Sequence, residues 1–474
     1  MSLFAVPRAV PRMVNYALLL ITACALAACA ATPPGDDALA RRVDGLIAAA
    51  ADAPAFSGAV VLARQGRVVY ARGFGMANHE AGVAFTPDTP TDGASLAKTF
   101  TAAGVLWLAN DGRVDLDAPV TRYVPAYPHA ATTVRQLLAH SNGLPDYAFF
   151  DPHFAPDALR TTARLLRVLA KELPAPSFAP GSRFEYSNVG YDAAAAVIEA
   201  MTGQDYPRFV AERFFTPLGM RASFARPGRL ADWRGVRTMG YRWRDGAWQL
   251  HDVFDNEAFY GASNLYFSAN DLSRWASAQA AGSAVPPAVA AAGRQHPLIA
   301  GRPSSITLAS WYCDDDGQRC HYTGSYNAFH SLVYFDRASG DSAVMVSNGT
   351  LPAERTINLQ RELVAALAGA PAQPDPATGF IRFDDKTRPT VAGTYRGEGL
   401  GTLRLRAQPT ADAPGRLSAQ IDNGPAFAVF PVSRDWFYMP GTDYWLAFSG
   451  TTGAETLHLR SMYRAGTARR IMPP

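Results

Sequence analysis

Lysine is almost missing from this 474-residue chain: of 44 basic residues only Lys98, Lys171 and Lys386 are lysine, and the rest are arginine. Arginine does not release its proton, so chemistry that needs a side-chain amine to accept one falls on those three positions. Charge of one sign is missing too. With 44 basic against 41 acidic residues the formal charge is +3, too small a bias for a nucleic-acid-binding surface. Cysteine is scarce, at four residues, which excludes a small disulfide framework. No His/Cys/Asp cluster has ligand spacing, so neither a metal nor another cofactor is expected. Beyond the N-terminus no apolar run reaches the length of a membrane span. What remains is 48% hydrophobic and 18% charged. That composition excludes a disordered or fibrous chain, and the length suggests two to three domains.

Residues 1–28 read as an export signal. Arg8 and Arg12 supply a basic start, and Tyr16 to Ala28 is small, apolar and uncharged. The stretch ends Leu26-Ala27-Ala28-Cys29, which is similar to the bacterial lipobox, whose cysteine is lipidated and becomes the mature N-terminus. Ordinary cleavage at a small-x-small site is the plainer alternative. The expected location is the bacterial cell envelope, facing the periplasm, with the membrane contacted only through lipid on Cys29. An oxidising compartment suits a disulfide between Cys313 and Cys320, which face each other across an Asp/Gly turn joining two β-prone runs. Asp314, Asp315 and Asp316 read as that turn's solvated face rather than as a metal site.

In the rest of the chain, Leu39, Val43, Leu46, Ile47 and Ala50 recur at helical spacing. Ala59–Leu62 and Val68–Tyr70 read as a hairpin, residues 93 to 300 as helical patches broken by Pro/Gly loops, and strand signals return at Tyr322, Phe329–Phe335 and Ala343–Val346. A helix follows from about Pro352 to Leu367. Strands at both ends with helices between predict an α/β (α+β) fold with one antiparallel sheet built from distant segments. The hydrolase-sized unit would span residues 29–368, and an Ala/Pro/Gly/Asp-rich linker 369–388. Residues 389–474 carry five alternating runs, at 402–406, 416–419, 426–430, 444–448 and 457–460, predicting a small all-β barrel or sandwich.

Ser95-Leu96-Ala97-Lys98 opens a helix running to about Asn110. Positions i and i+3 share a helix face, so the Lys98 amine would reach the Ser95 hydroxyl at the positive end of the helix dipole. A serine hydroxyl attacks carbonyl carbon only when a neighbour takes its proton. With 25 serines and three lysines, chance supplies roughly 0.2 such pairs, so the motif alone is modest evidence against a capping serine followed by a surface lysine. Phe184-Glu185-Tyr186-Ser187-Asn188 shifts the balance: a Tyr and an Asn two apart on one short loop can face the same way, the phenol sharing a proton with Lys98 and the amide binding Lys98 and a substrate carbonyl.

Ser95-x-x-Lys98, then Tyr186-x-Asn188, then Thr323-Gly324, in this order and spacing, resembles the penicillin-recognising serine hydrolases. Within them it is similar to the branch holding the class C β-lactamases and related esterases and D-peptidases. The flanking segments Leu116-Asp117-Ala118-Pro119-Val120, Val134 to Tyr147 and Ser268-Ala269-Asn270-Asp271-Leu272 resemble that branch as well, over roughly Leu39 to Leu367. The last segment is similar, more faintly, to lipocalin-like modules. The resemblance implies an acyl-enzyme on Ser95, with Lys98 and Tyr186 sharing the acid-base work, and an oxyanion hole from the backbone N–H groups of Ser95 and Ser325, beside Tyr322, Thr323 and Gly324. Relatives carry Lys or His before that Thr-Gly. Here it is Tyr322, with His321 expected on the opposite face.

A pocket without that cation would favour neutral esters, amides or lactones over carboxylate-bearing β-lactams and D-peptides. A D-alanyl-D-alanine carboxypeptidase, D-aminopeptidase or β-lactamase is the alternative reading, and a non-catalytic envelope binding protein is the alternative from another class. The expected partner is a small ester, amide or peptide substrate. His140 and Asp146 read as ordering the Gly-Leu-Pro turn, and Asp271 as a helix-start acid. Tyr147, Tyr260 and Asn264 line the pocket by analogy only, and His330 is core or cleft.

Overall fold

The computed structural model describes residues 35–48, 56–314, 316–350, 353–370, 391–397, 401–407, 417–421, 426–431, 436–438, 445–449, 455–460 and 465–471. The expected leader, Cys29 and nearly all of the expected linker lie outside the described residues.

The main sheet is assembled from both ends of its unit. An amphipathic helix α1 (Asp36–Ala48) precedes the hairpin β1 (Gly58–Arg64) and β2 (Arg67–Phe74). The helices α2 (Ala97–Asn110), α3 (Asn188–Thr202) and α4 (Ala269–Ala280) follow. The chain then returns as β3 (Tyr312–Cys313), β4 (Arg319–Tyr326), β5 (Phe329–Asp336) and β6 (Ser342–Ser347), and closes with α5 (Ala353–Leu367). The order is β3-β4-β5-β6-β1-β2, antiparallel throughout.

Both faces of this sheet are covered, which explains why β1 is apolar without interruption. Ala59 and Val61 join the large core shared with α2, α3 and α4, whereas Val60 and Leu62 join a second core under α1 and α5. Val344 and Val346 against Ala343 and Met345 repeat the alternation on β6. Helix α2 is the opposite of α1: all its residues except Trp107, Ala109 and Asn110 are buried, the polar Lys98, Thr99 and Thr101 included. Its Phe100 ring stacks on Trp275 of α4 at 4.2 Å.

The C-terminal segment is a closed barrel of eight antiparallel strands. Closure comes from Gly393–Gly397 pairing with Ala465–Ile471. Those two strands and Trp436–Tyr438 are the ones missing from the sequence reading. Glycines, arginines and a three-residue length erase the alternation that marks the other five. In Leu403-Arg404-Leu405-Arg406 the leucines are buried in the barrel and Arg406 is exposed. Closure leaves no unpaired edge, so the module is a barrel rather than a sandwich.

Cys313 and Cys320 are cross-strand partners and form a disulfide across seven positions, tying β3 to β4 two residues before Tyr322. Asp314 turns back to pair with Arg319 at 2.6 Å. A loop this short contributes about 2 kcal/mol on chain-entropy grounds. The Cys313→Ser/Cys320→Ser double variant is expected to unfold at lower urea by roughly that amount. An unchanged midpoint would show that the ladder alone holds the two strands.

Candidate active site

Ser95 does not sit in the α-helix itself. The short strand Thr91–Asp92 leads through Gly93 into a 3₁₀ turn, Ala94–Leu96, and α2 starts only at Ala97. Three residues per turn keep Ser95 and Lys98 on one side, so the expected juxtaposition survives the change of helix type. Ala94 has φ of +48°, a left-handed conformation costly for any residue with a Cβ. It is held there because its N–H donates to Asp92 Oδ1 at 2.7 Å. Asp92 is completely buried, and desolvation pushes its carboxyl up to about 6 despite the Arg226 charge and that N–H. From the other side β4 lies flush against the turn: the Ser331 hydroxyl donates to the Gly93 carbonyl at 2.9 Å, and a methyl on Gly324 would run into that same carbonyl.

Lys98 has no exposed surface. Its Nζ donates to Ser95 Oγ (3.2 Å), Asn188 Oδ1 (2.8 Å) and the Ala262 carbonyl (2.9 Å), which matches the three donors of an ammonium group. Asn188 is the first residue of α3 rather than part of a loop, with Ser187 capping the helix by accepting from the Gly190 N–H at 3.0 Å. One turn on, buried Asp192 accepts from the Ala262 N–H (3.2 Å) and from the Tyr147 hydroxyl (2.7 Å). Asp192 thus braces the peptide whose carbonyl receives Lys98. Its own carboxyl is pushed up to about 7, desolvation outweighing the Tyr147 hydrogen bond and the Lys98 charge.

Tyr186 Oη lies 2.8 Å from Ser95 Oγ, and Lys98 Nζ stands 4.9 Å from the ring centroid. Burial of the hydroxyl raises its pKa, but the Lys98 charge and hydrogen bonds from its neighbours prevail and hold this phenol below its ordinary value. The ring is stacked on His140 at 4.5 Å and 18°. His140 is fully buried, its Nδ1 accepts from the Ser187 N–H, and burial followed by the Lys98 charge brings it down to about 3. This neutral platform under Tyr186 is a part of the site that turn chemistry alone did not reveal. Only its place in the segment running on to Asn142-Gly143-Leu144-Pro145 hinted at it.

Tyr322 is 1% exposed, and its Oη lies 3.4 Å from Tyr186 Oη. His321 is buried against its cross-strand partner Tyr312, and burial holds its imidazole well below the ordinary value, so it brings no positive charge. Thr323 and Ser325 are exposed on the other face from Tyr322. The two-residue turn between Tyr326 and Phe329 makes that pair hydrogen-bonded and the next, Ser325 with His330, not. The Ser325 N–H therefore points out of the sheet edge, beside the Ser95 turn.

Other candidates lie elsewhere. Among the described hydrogen bonds, Tyr260 donates to the Arg226 carbonyl, and buried Asn264 donates to the Phe259 carbonyl and to Glu257; neither is brought to Ser95. Asp271 follows the Ser268 cap of α4 and also accepts from the Ser223 hydroxyl, so its place is structural. His330 is half-buried and held at about 4 by desolvation. Among the described residues no group of His, Cys, Asp and Glu is placed to hold a metal ion.

Residues 43–368 match the beta-lactamase family. Penicillin-binding protein 4* of Bacillus subtilis is 32% identical over 166 residues, a stretch covering 35% of this chain and only 37% of that relative's own length. The octameric penicillin-binding protein homologue from Pyrococcus abyssi shares the fold with a TM-score of 0.61 at 20% identity, over 91% of this chain and 99% of that one. A D-stereospecific amidohydrolase from Streptomyces sp. superposes with a TM-score of 0.53 at 26% identity, over 67% of this chain and 95% of its own.

Asp192 is an acid whose folded value, about 7, lies above its ordinary 3.8. Between those values the folded chain keeps a proton that the unfolded chain has released, so stability falls as pH rises through that window and levels off above it. Asp192→Asn abolishes this ionisation and can still bridge Tyr147 and the Ala262 N–H. Its urea midpoint should therefore fall less than the wild type's between about pH 4.5 and about pH 8. Identical pH dependence would show that Asp192 ionises as freely in the folded chain as in the unfolded one.

Proposed function

The chain belongs to the beta-lactamase family of penicillin-recognising serine hydrolases, and from that premise we propose that it cleaves a neutral ester, amide or lactone through an acyl-enzyme on Ser95. The observation carrying this reading is the approach of both Lys98 Nζ and Tyr186 Oη to a single oxygen, Ser95 Oγ. Three acceptors around Lys98 suit an ammonium ion, which leaves Tyr186, with its lowered phenol pKa, to take the serine proton.

In this mechanism the Ser95 oxygen bonds to the substrate carbonyl carbon while its proton passes to Tyr186. The Ser95 and Ser325 N–H groups receive the developing oxyanion, an interaction whose loss typically costs about 100- to 1000-fold in rate. Asn188 holds Lys98 in place and is within reach of the substrate. Tyr186 returns the proton to the leaving group, and water later releases the acyl chain by the same route.

The preference for neutral substrates rests on Tyr322. Where relatives place a cation, this chain has a buried phenol engaged with Tyr186, next to an uncharged His321. A substrate carboxylate would lose the charge-assisted pair that such a cation offers. The similarity to a penicillin-binding protein and to a D-stereospecific amidohydrolase favours the second reading, a D-peptidase, D-amidase or β-lactamase. The leader-like N-terminus and the bacterial relative support action in the cell envelope, with a lipid on Cys29 as the anchor. A purely binding role is disfavoured, because a binder has no use for a fully buried amine set against a serine hydroxyl.

A fluorophosphonate probe should label the wild type and not Ser95→Ala, and that variant should lose at least about 1000-fold in turnover. An unlabelled wild-type serine would favour the binding role. Across a substrate panel, short p-nitrophenyl esters should be turned over more efficiently than nitrocefin. The reverse order would overturn the neutral-substrate preference and leave the amidase or β-lactamase reading in its place.

A further inference from the structure

The Tyr322 side chain lies among aromatic rings, stacked on Tyr312 at 5.9 Å and edge-on to Trp311 at 6.5 Å. A phenol so enclosed needs a partner for its hydroxyl, and among the described residues Tyr186 Oη is one. The elements packed around Tyr186 present few alternatives. Lys98 of α2 holds three acceptors, and its charge and a hydrogen bond from it also act on the Tyr186 phenol. Tyr191 of α3 is bound to the Leu138 carbonyl and the Ser310 hydroxyl. His140 offers a neutral ring face and has its Nδ1 occupied by the Ser187 N–H. Tyr312 of β3 stacks on Tyr322. Apart from Ser95, Tyr322 is the O–H that the described contacts bring to Tyr186 Oη.

We propose that Tyr322 is a positioning residue for the proton transfer, its O–H donating to the Tyr186 phenolate and holding the proton-accepting form next to Ser95. The inference rests on the reading of Tyr186 as the group that takes the serine proton. The position that relatives give to a cation then serves the base and not the substrate. Protons balance: the Ser95 proton moves to Tyr186 as the oxygen–carbon bond forms and leaves with the departing group, while Tyr322 keeps its own throughout. Tyr322 can act as a pure donor because burial, followed by the neighbouring phenols, holds its hydroxyl far above the ordinary phenol range. A hydrogen bond to the charged form favours that form.

Tyr322→Phe removes the oxygen and keeps the ring. Two measurements on the full chain test the proposal: the pH dependence of Ser95 labelling by a fluorophosphonate, and ¹³C NMR of the tyrosine Cζ carbons assigned with Tyr186→Phe. In Tyr322→Phe the acid limb of labelling should move up by about one pH unit, making labelling about tenfold slower below the limb and equal on the alkaline plateau, as loss of a hydrogen bond to a charged acceptor implies. The Tyr186 resonance should move by the same amount. In the wild type, the Tyr322 resonance should respond to the Tyr186 titration and lose that step in Tyr186→Phe, a readout that does not depend on how well Tyr322→Phe folds. Uniform slowing at every pH with an unmoved Tyr186 titration would make Tyr322 merely structural and overturn the proposal. So would a Tyr186 resonance that stays at the phenol position up to about pH 11. Undiminished labelling of Tyr186→Phe would instead remove Tyr186 as the base and defeat the reading on which the inference stands.

Discussion

A lysine amine with no solvent contact is the constraint around which this molecule is organised. Removing an ammonium ion from water is costly unless its donors are all matched, and a missing acceptor would leave several kcal/mol uncompensated. The three acceptors of Lys98 come from places far apart in the chain: the turn at Ser95, the first residue of α3 at Asn188, and the carbonyl of Ala262. None can drift without exposing the cost. Asp192, on the same helix as Asn188, fixes Ala262 from behind. Helix α3 therefore supplies both a direct ligand to the amine and the brace for another, and a shift of that helix would disturb both together.

The second constraint is backbone. The left-handed Ala94 and the bare Gly324 are two halves of one contact, in which β4 meets the turn before α2 too closely for a side chain between them. That contact packs the end of β4 that carries Ser325 against the turn that carries Ser95. Strain at residue 94 persists because Asp92 holds its N–H from below while Ser331 holds the Gly93 carbonyl from above. The serine turn is thus held by the sheet, and Lys98 and Asn188 by the helices. The interface between these two layers is where the carbonyl chemistry is proposed to occur.

Much of this was legible in the sequence, for physical reasons. A scarce lysine three residues after a serine already put an amine within reach of that hydroxyl. The Cys313–Cys320 pair could be read from its turn, and the antiparallel sheet from strand signals at both ends. What was hidden depended on tertiary contact. His140 resembles a turn residue until Tyr186 is stacked on it. Asp192 looks like an ordinary helix aspartate until the Ala262 peptide arrives. The barrel strand Ala465–Ile471 carries two adjacent arginines and little apolar content, so only its pairing with Gly393–Gly397 defines it.

On the proposed reading, a phenol rather than a cation at position 322 bears on the charge of the site. In the proposed mechanism Lys98 acts as ammonium and Tyr186 as phenolate, charges that cancel, while burial holds both His140 and His321 neutral. A cation at position 322 would leave a surplus positive charge, balanced when a carboxylate-bearing substrate enters. A phenol leaves none. An entering carboxylate would then face the proposed phenolate with no cation at position 322 to pair with. A neutral carbonyl compound brings no such cost, and in the proposed mechanism negative charge develops only at the oxyanion. If Tyr186 is the base, one side chain, Tyr322, would bear on both proposals: it offers no charge to an acidic substrate, and its hydroxyl lies next to that of Tyr186.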